Sequence, residues 1–104
     1  MKETKLQRAY RYYNRKYFGN NLPNPPEIKI KWGSLPDSEM GDFGEDEIRI
    51  NRKLRDSRCQ WRFTLLHEMQ HAALDEIETR SDHGKEFQKG MLRLAKLGAF
   101  KRLW

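Results

Sequence analysis

Apolar side chains recur every three or four residues near the start of the chain, while basic residues fall largely between them. The stripe consists of Leu6, Ala9, Tyr10, Tyr13 and Tyr17. This spacing is typical of one face of an amphipathic α-helix, which we predict from about Thr4 to about Gly19, where Gly-Asn-Asn offers a C-terminal cap. The segment that follows, Leu-Pro-Asn-Pro-Pro, is predicted to be extended, because proline removes backbone donors and restrains the residue before it.

Two later segments alternate apolar and polar residues with a period of two, which predicts β-strands. Residues 27–32 place Ile28, Ile30 and Trp32 on one face, and residues 47–51 place Ile48 and Ile50 together. Between them, a short strand around Met40 to Phe43 is predicted to turn at Gly44 and form a hairpin with residues 47–51.

The second half of the chain has the pattern of two helices. Ser57 and Gln60 fit a capping box, so a second helix is predicted from there to about Ile77. A third is predicted over residues 84–97, where apolar residues recur at helical intervals. The order of helix, strands, helix and helix predicts one α+β domain over residues 1–104, with a small mixed or antiparallel sheet.

Composition narrows the class of protein. No segment approaches the roughly 20 apolar residues of a membrane span, and the N-terminus lacks the apolar region of a secretory signal, so a cytoplasmic location is expected. The single cysteine, Cys59, cannot form an internal disulfide, and its apolar helical context indicates a packing role.

The formal net charge of +6 is unevenly distributed along the chain. Residues 1–32 carry +6, residues 33–84 carry −5 and residues 85–104 carry +5. Basic ends around an acidic middle suggest a polyanion such as DNA, held by the terminal helices. Six acidic residues and no basic ones lie between Asp37 and Glu47; they are predicted to form a solvated loop, with a substrate-selecting patch as the alternative.

The predicted second helix carries the sequence His67-Glu68-Met69-Gln70-His71, with two of the three histidines of the chain. At 100° per residue, His71 lies about 40° and Glu68 about 100° from His67, so all three share one side of the helix. Two imidazoles one turn apart can bind a zinc ion, and the glutamate can then accept a proton from a metal-activated water. By chance the motif should arise in under about 1% of chains this long, so the signal is specific.

A catalytic zinc usually has three protein ligands, so a further ligand is expected. His83 is the remaining histidine and is the favoured candidate, while Asp75 and Glu86 are alternatives one helical turn from His71 or inside the third helix. Asp75 or Asp82 could instead accept a hydrogen bond from an imidazole and fix its tautomer.

The two segments HEMQHA and DHGKEF together resemble the HExxH and HGxxF pair of the SprT-like metallopeptidases, the family that includes the Spartan-type proteases of DNA–protein crosslinks. YFGNNLP and EIRINRKL are also similar to that family, and the resemblance extends from about Leu6 to Phe100. It implies a zincin-type fold, one zinc ion bound by His67, His71 and His83, and Glu68 as catalytic base. It further implies polypeptide substrates, including proteins bound or crosslinked to DNA.

With its single cysteine, the chain departs from the many SprT-like proteins that add a cysteine-bearing zinc-binding subdomain, so the resemblance is to a minimal protease core. Small zincins with a glutamate as third ligand are a neighbouring possibility, which would replace His83 by Glu78 or Glu86. The rival from another class is a zinc-stabilised, noncatalytic DNA-binding or adaptor domain. It would use the same histidines and leave Glu68 without a function.

Overall fold

The polypeptide folds as one helix, three strands and two further helices, and the computed structural model describes residues 3–75 and 85–101. The α+β class predicted from the sequence is confirmed. The elements are α1 (Lys5–Tyr17), β1 (Lys29–Gly33), β2 (Gly41–Gly44), β3 (Glu47–Asn51), a short 3-10 turn (Arg52–Leu54), α2 (Arg58–Asp75) and α3 (Lys85–Lys96).

Helix α1 begins with a capping box formed by Thr4 and Gln7. The Thr4 backbone N–H donates to Gln7 Oε1 at 2.8 Å, and the Gln7 N–H donates to Thr4 Oγ1 at 3.2 Å. These two bonds satisfy backbone donors that the first helical turn leaves unpaired. The predicted apolar stripe is buried in the core except for Ala9, which is partly buried. The helix ends before Gly19, whose φ of 60° takes the chain out of the helical path.

The sheet has three strands in the order β1-β3-β2. Strand β1 runs parallel to β3, while β2 runs antiparallel to it and pairs Phe43 with Ile48. The sheet is therefore mixed, and the hairpin between the second and third strands is confirmed. Its turn is not at Gly44 as predicted: Glu45 and Asp46 both have positive φ, 49° and 59°, and form a two-residue connection whose twist matches that of the strands.

Helix α2 packs against β2 and β3, and its side that lies away from the histidines faces the hydrophobic core. Trp61, Leu65, Leu66 and Met69 are buried there, and Trp61 meets Trp32 of β1 edge to face at 6.1 Å. Cys59 is partly buried against the same core, as expected from its apolar context. None of the helices within the described residues is long and apolar enough to cross a bilayer.

Helix α3 lies against α2 and buries Phe87 and Leu94. It is also connected to α1, because the Arg93 guanidinium donates to the Tyr17 carbonyl at 2.7 Å. At the contact between α2 and α3, Gly90 faces the buried side chain of Gln70, and an added Cβ would come 2.6 Å from Gln70 Oε1. The absence of a side chain at Gly90 therefore allows the two helices to approach closely.

Candidate metal centre and cleft

His67 and His71 lie one turn apart on α2, with imidazole ring centres 4.9 Å apart and ring planes at 70°. Both side chains, together with Glu68, line a cleft of about 420 Å³. The helical spacing therefore places the three side chains on one side, as the sequence indicates. Neutral imidazole nitrogens are good zinc ligands. Two imidazoles held on one rigid helix could therefore bind the same zinc ion.

The ring of Phe87, from α3, packs against both imidazoles. Its centre lies 4.2 Å from that of His71, nearly parallel at 21°, and 4.9 Å from that of His67 at 63°. Phe87 is 5% exposed, so its own position is fixed by the contact between α2 and α3. The aromatic contact therefore restricts the orientation of both histidine rings.

Glu68 is 7% exposed although it is a carboxylic acid. Burial, and to a lesser extent the negative charge of Asp42, raises the pKa of Glu68 to about 7. Asp42 is held by Arg49, whose Nε donates to Asp42 Oδ1 at 3.0 Å. A carboxyl group with such a pKa can both release and accept a proton near neutral pH.

Strand β2 forms the wall of the cleft that faces the histidines. Ser38, Glu39 and Met40 lead into the strand, and Asp42 and Phe43 continue the wall. In the part of the chain that the structure describes, β3 is the only strand paired with β2, so the other edge of β2 is available for an added strand.

Gly41 allows β2 to lie directly on α2. A Cβ at this position would come 2.8 Å from the Arg49 carbonyl oxygen, 2.8 Å from Thr64 Cγ2 and 3.4 Å from Glu68 Cγ. The first of these neighbours is backbone and the second belongs to a buried side chain, so neither can move aside easily. Gly41 therefore sets the distance between the edge strand and the helix that carries Glu68.

The loop before β2 is fixed by Asn51, at the end of β3. Its Nδ2 donates to the carbonyl oxygens of Leu35, Pro36 and Glu39 at 3.2, 3.1 and 2.8 Å, and its backbone N–H donates to Met40 O at 2.7 Å. Asn51 is 2% exposed, so these bonds are shielded from water. They give the irregular segment that enters the cleft wall a defined path.

The acidic residues between positions 37 and 47 were predicted to form a solvated loop, with a substrate-selecting patch as the alternative, and the structure shows features of both. Asp37 is fully solvated and lies 3.6 Å from the Lys53 ammonium, which fits the prediction of a solvated loop. Glu39 and Asp42 instead line the cleft, where they give its mouth a negative charge.

The remaining candidate ligands are placed as follows. His83, Asp82 and Glu78 lie outside the described residues, and so does the side chain of Asp75. Glu86 is exposed and lies 3.6 Å from Lys89 in an ion pair one turn along α3. Within residues 3–75 and 85–101, no three His, Cys, Asp or Glu side chains converge as a metal site. The third ligand therefore stays a prediction.

Sequence reasoning missed two contributors to the site. Phe87 is one of the apolar residues that recur at helical intervals in the predicted third helix. Its contact with the imidazoles depends on how α3 packs on α2, which periodicity does not specify. Gly41 lies inside the short strand predicted around Met40 to Phe43, and its role depends on the approach of β2 to α2. The sequence does contain a signal for this role, because a glycine inside a strand often marks a place where another part of the chain approaches closely.

Comparison with protein-family models gives a match over most of the chain. The model of the SprT-like family matches residues 6–102, which is nearly the whole chain and includes both histidine motifs. A search of curated proteins finds no match to this sequence.

Proposed function

Because the chain belongs to the SprT-like family, a family associated with metallopeptidase-like proteins, we propose that it is a zinc-dependent metallopeptidase that hydrolyses peptide bonds. The observation that supports this proposal most directly is the cleft in which His67, Glu68 and His71 lie together beneath an edge strand. Two candidate zinc ligands, a candidate proton acceptor and a surface for an extended chain are thus adjacent, as peptide hydrolysis would require.

His67, His71 and His83 would hold one zinc ion. The described pair fits this role, because two imidazoles project from neighbouring turns of one helix into the same cleft. His83 precedes the first residue of α3 by two positions, and α3 brings Phe87 onto both rings. When bound, zinc acts as a Lewis acid that polarises the scissile carbonyl and activates a water for attack.

Glu68 serves as general base and then as general acid. Its carboxylate takes a proton from the attacking water, and the same proton passes to the leaving amine nitrogen as the C–N bond breaks. Its position between the two candidate ligands on α2 would place it beside a bound ion without making it a ligand. Burial excludes bulk water from the carboxyl group, which limits competing proton exchange.

The outer edge of β2 would bind the substrate as an added strand. Backbone hydrogen bonds would supply most of the recognition, so broad sequence specificity is expected. Glu39 and Asp42 line this wall, which favours substrates with basic side chains. Proteins that are bound or crosslinked to DNA fit this requirement, since they carry many Lys and Arg residues.

The test is zinc content and proteolysis measured on the same preparations. Wild type should contain one zinc ion per chain by elemental analysis and cleave a generic basic protein, with and without single-stranded DNA. Glu68→Gln should keep the zinc and lose cleavage, because an amide cannot take up the proton. His67→Ala should lose both.

The outcomes separate the alternatives. Cleavage that survives Glu68→Gln would contradict the catalytic assignment. Stoichiometric zinc without cleavage of any substrate would favour the noncatalytic, zinc-stabilised domain, and wild type without zinc would exclude both.

A further inference from the structure

The backbone hydrogen-bonding groups of β2 alternate between β3 and the open edge of the sheet. The Asn51 N–H donates to the Met40 carbonyl oxygen at 2.7 Å, and the antiparallel register places these two residues opposite each other. In such a ladder, residues that exchange hydrogen bonds with the partner strand alternate with residues that do not. Asp42, two positions after Met40, is therefore also bonded to β3. Gly41 and Phe43 direct their N–H and C=O groups away from β3, toward the open edge.

The outward groups of Gly41 and Phe43 lie in the wall of the cleft. Within residues 3–75 and 85–101, no hydrogen bond to these groups is formed. Unpaired backbone groups at a sheet edge can pair with a further strand. An antiparallel strand, which pairs slightly more stably than a parallel one, would place one residue opposite Gly41. Another residue, two positions earlier in the added strand, would lie opposite Phe43.

Positions 41 and 43 share the face of β2 that is turned toward α2, because side chains alternate between the two faces of a strand. A Cβ at Gly41 would come 2.8 Å from Thr64 Cγ2 and 3.4 Å from Glu68 Cγ, and both of these atoms belong to α2. Phe43 lies opposite Ile48, which is fully buried, and packs against the hydrophobic core. A residue added opposite Phe43 therefore also points its side chain toward α2, beside the phenyl ring.

Phe43 presents an apolar surface to that side chain. The residue is half-buried, with one part against the core and another in the wall of the cleft. Gly41, the neighbouring position on the same face, carries no side chain to cover the ring. Apolar side chains that lie opposite each other across two strands stabilise the pairing, and burial of their area adds to it. A charged side chain at the same position would lose water without gaining a hydrogen bond from the ring.

We propose, on the basis of the peptidase function above, that Phe43 is a specificity-determining residue, which selects a large apolar side chain at the substrate residue opposite it. The selected residue lies two positions before the one opposite Gly41, whose position adjoins Glu68. The residue between them turns its side chain to the face that carries Asp42, where the acidic wall favours a basic side chain. The preferred substrate is therefore an extended segment in which a large apolar residue is followed directly by a basic one.

Peptide binding to Glu68→Gln tests this selection without cleavage. The ligand is a labelled octapeptide of alanine and lysine with one phenylalanine followed by lysine, measured by fluorescence anisotropy in the presence of zinc. We expect replacement of that phenylalanine by alanine to weaken binding about tenfold, because most of the buried apolar area of the side chain is lost. Replacement by glutamate should weaken binding at least as much.

N-methylation of single peptide bonds in the same ligand tests the position of its backbone. The phenylalanine and the residue two positions after it exchange hydrogen bonds with Phe43 and Gly41, so methylation of either nitrogen should weaken binding about tenfold. The nitrogen of the intervening lysine points away from β2, so its methylation should have little effect. Sensitivity to methylation therefore repeats every two residues and coincides with the position that prefers an apolar side chain.

Substitutions of Phe43, made in the Glu68→Gln background, assign the preference to this ring. With Phe43→Ala the phenylalanine and alanine peptides should bind with similar affinities, and with Phe43→Lys the glutamate peptide should bind most tightly of the three. Leu92→Ala is the matched control, since it removes an exposed apolar side chain outside the cleft, and it should keep the preference for phenylalanine. Thermal unfolding verifies that each variant is folded.

Three results would overturn the selection by Phe43: no binding of any peptide, equal preferences in Phe43→Ala and Leu92→Ala, or methylation effects without a period of two. These results are distinguishable from failure of the proposed peptidase function, which is measured by cleavage with wild type. Preference for phenylalanine without cleavage would leave Phe43 as a determinant of peptide binding and contradict only the peptidase function. Cleavage without such a preference would do the opposite.

Discussion

Phe87 lies nearly parallel to the imidazole of His71, with ring centres 4.2 Å apart, and connects α3 directly to the candidate metal site. The same ring contacts His67. The orientation of both imidazoles therefore depends on the packing of α3 against α2, although neither histidine belongs to α3.

We expect Phe87→Leu to weaken zinc binding by about 10- to 100-fold, as the loss of a group that orients metal ligands commonly does. Leucine keeps the position apolar but cannot stack on an imidazole. Zinc affinity, measured by competition with a chromophoric chelator, checks this.

The matched control is Leu94→Ala, which removes a buried apolar side chain from the same helix away from the imidazoles. It should cost about 2–5 kcal/mol in the free energy of unfolding and leave the zinc affinity of the folded protein unchanged. Equal zinc affinities in Phe87→Leu and wild type would show that the ring does not orient the ligands.

Gly41→Ala should impair both stability and activity. The added methyl group meets the Arg49 carbonyl oxygen and Thr64, so β2 must move away from α2. Such overpacking typically costs about 1–3 kcal/mol, and the displaced wall would no longer align a substrate with Glu68. Thermal unfolding and peptidase rate are the measurements.

Gly44 provides the comparison within the same strand, because nothing lies within 4 Å of the position that its Cβ would occupy. Gly44→Ala should leave both the melting temperature and the rate close to wild type. If the two alanine variants behaved alike, close approach of β2 to α2 would not explain the glycine at position 41.

The sequence was sufficient for the parts of this structure that depend on local periodicity. The stripe containing Leu6 and Tyr10 predicted α1, and the spacing of His67 and His71 predicted their common side, because helical geometry relates such positions directly. The contacts of Phe87 and Gly41 join elements far apart in the chain, and periodicity on one element does not determine how it packs on another.

The same reason explains the details of the sheet. Alternation predicted the strands of Ile30 and Ile48, but the parallel pairing of β1 with β3 follows from the path of the chain between them. The turn at Glu45 and Asp46 was also missed, since two acidic residues with positive φ are uncommon and Gly44 is the usual signal for a turn.

Glu68 should make the stability of the metal-free protein depend on pH. Burial, aided by the charge of Asp42, raises its pKa from 4.5 to about 7, so between these values the folded state holds a proton that the unfolded state has released. The contribution of Glu68 to stability is thus fully present below about pH 4.5 and is lost as the pH rises through about 7.

Glu68→Gln stays neutral at every pH, so its stability relative to wild type should increase by up to about 3 kcal/mol between about pH 4.5 and 8. Urea unfolding of both proteins in a chelator measures this difference, and the titration of the histidines largely cancels in the comparison. A difference that is constant with pH would mean that Glu68 has an ordinary pKa.

Asn51→Asp tests the loop that enters the cleft wall. Nδ2 of Asn51 donates to three carbonyl oxygens, and the carboxylate of aspartate would instead place a negative charge against them without changing the shape of the side chain. We expect a loss of about 3 kcal/mol or more in the free energy of unfolding, because Asn51 is 2% exposed and the repulsion is not screened by water.

Asn21→Asp makes the same chemical change at an exposed position and should alter stability by less than about 0.5 kcal/mol. Urea unfolding at neutral pH measures both, and a loss in Asn51→Asp that disappears at low pH, where aspartate can be protonated, would identify the charge as its cause. Similar stabilities of the two variants at neutral pH would contradict the role of Asn51 in fixing residues 35–40.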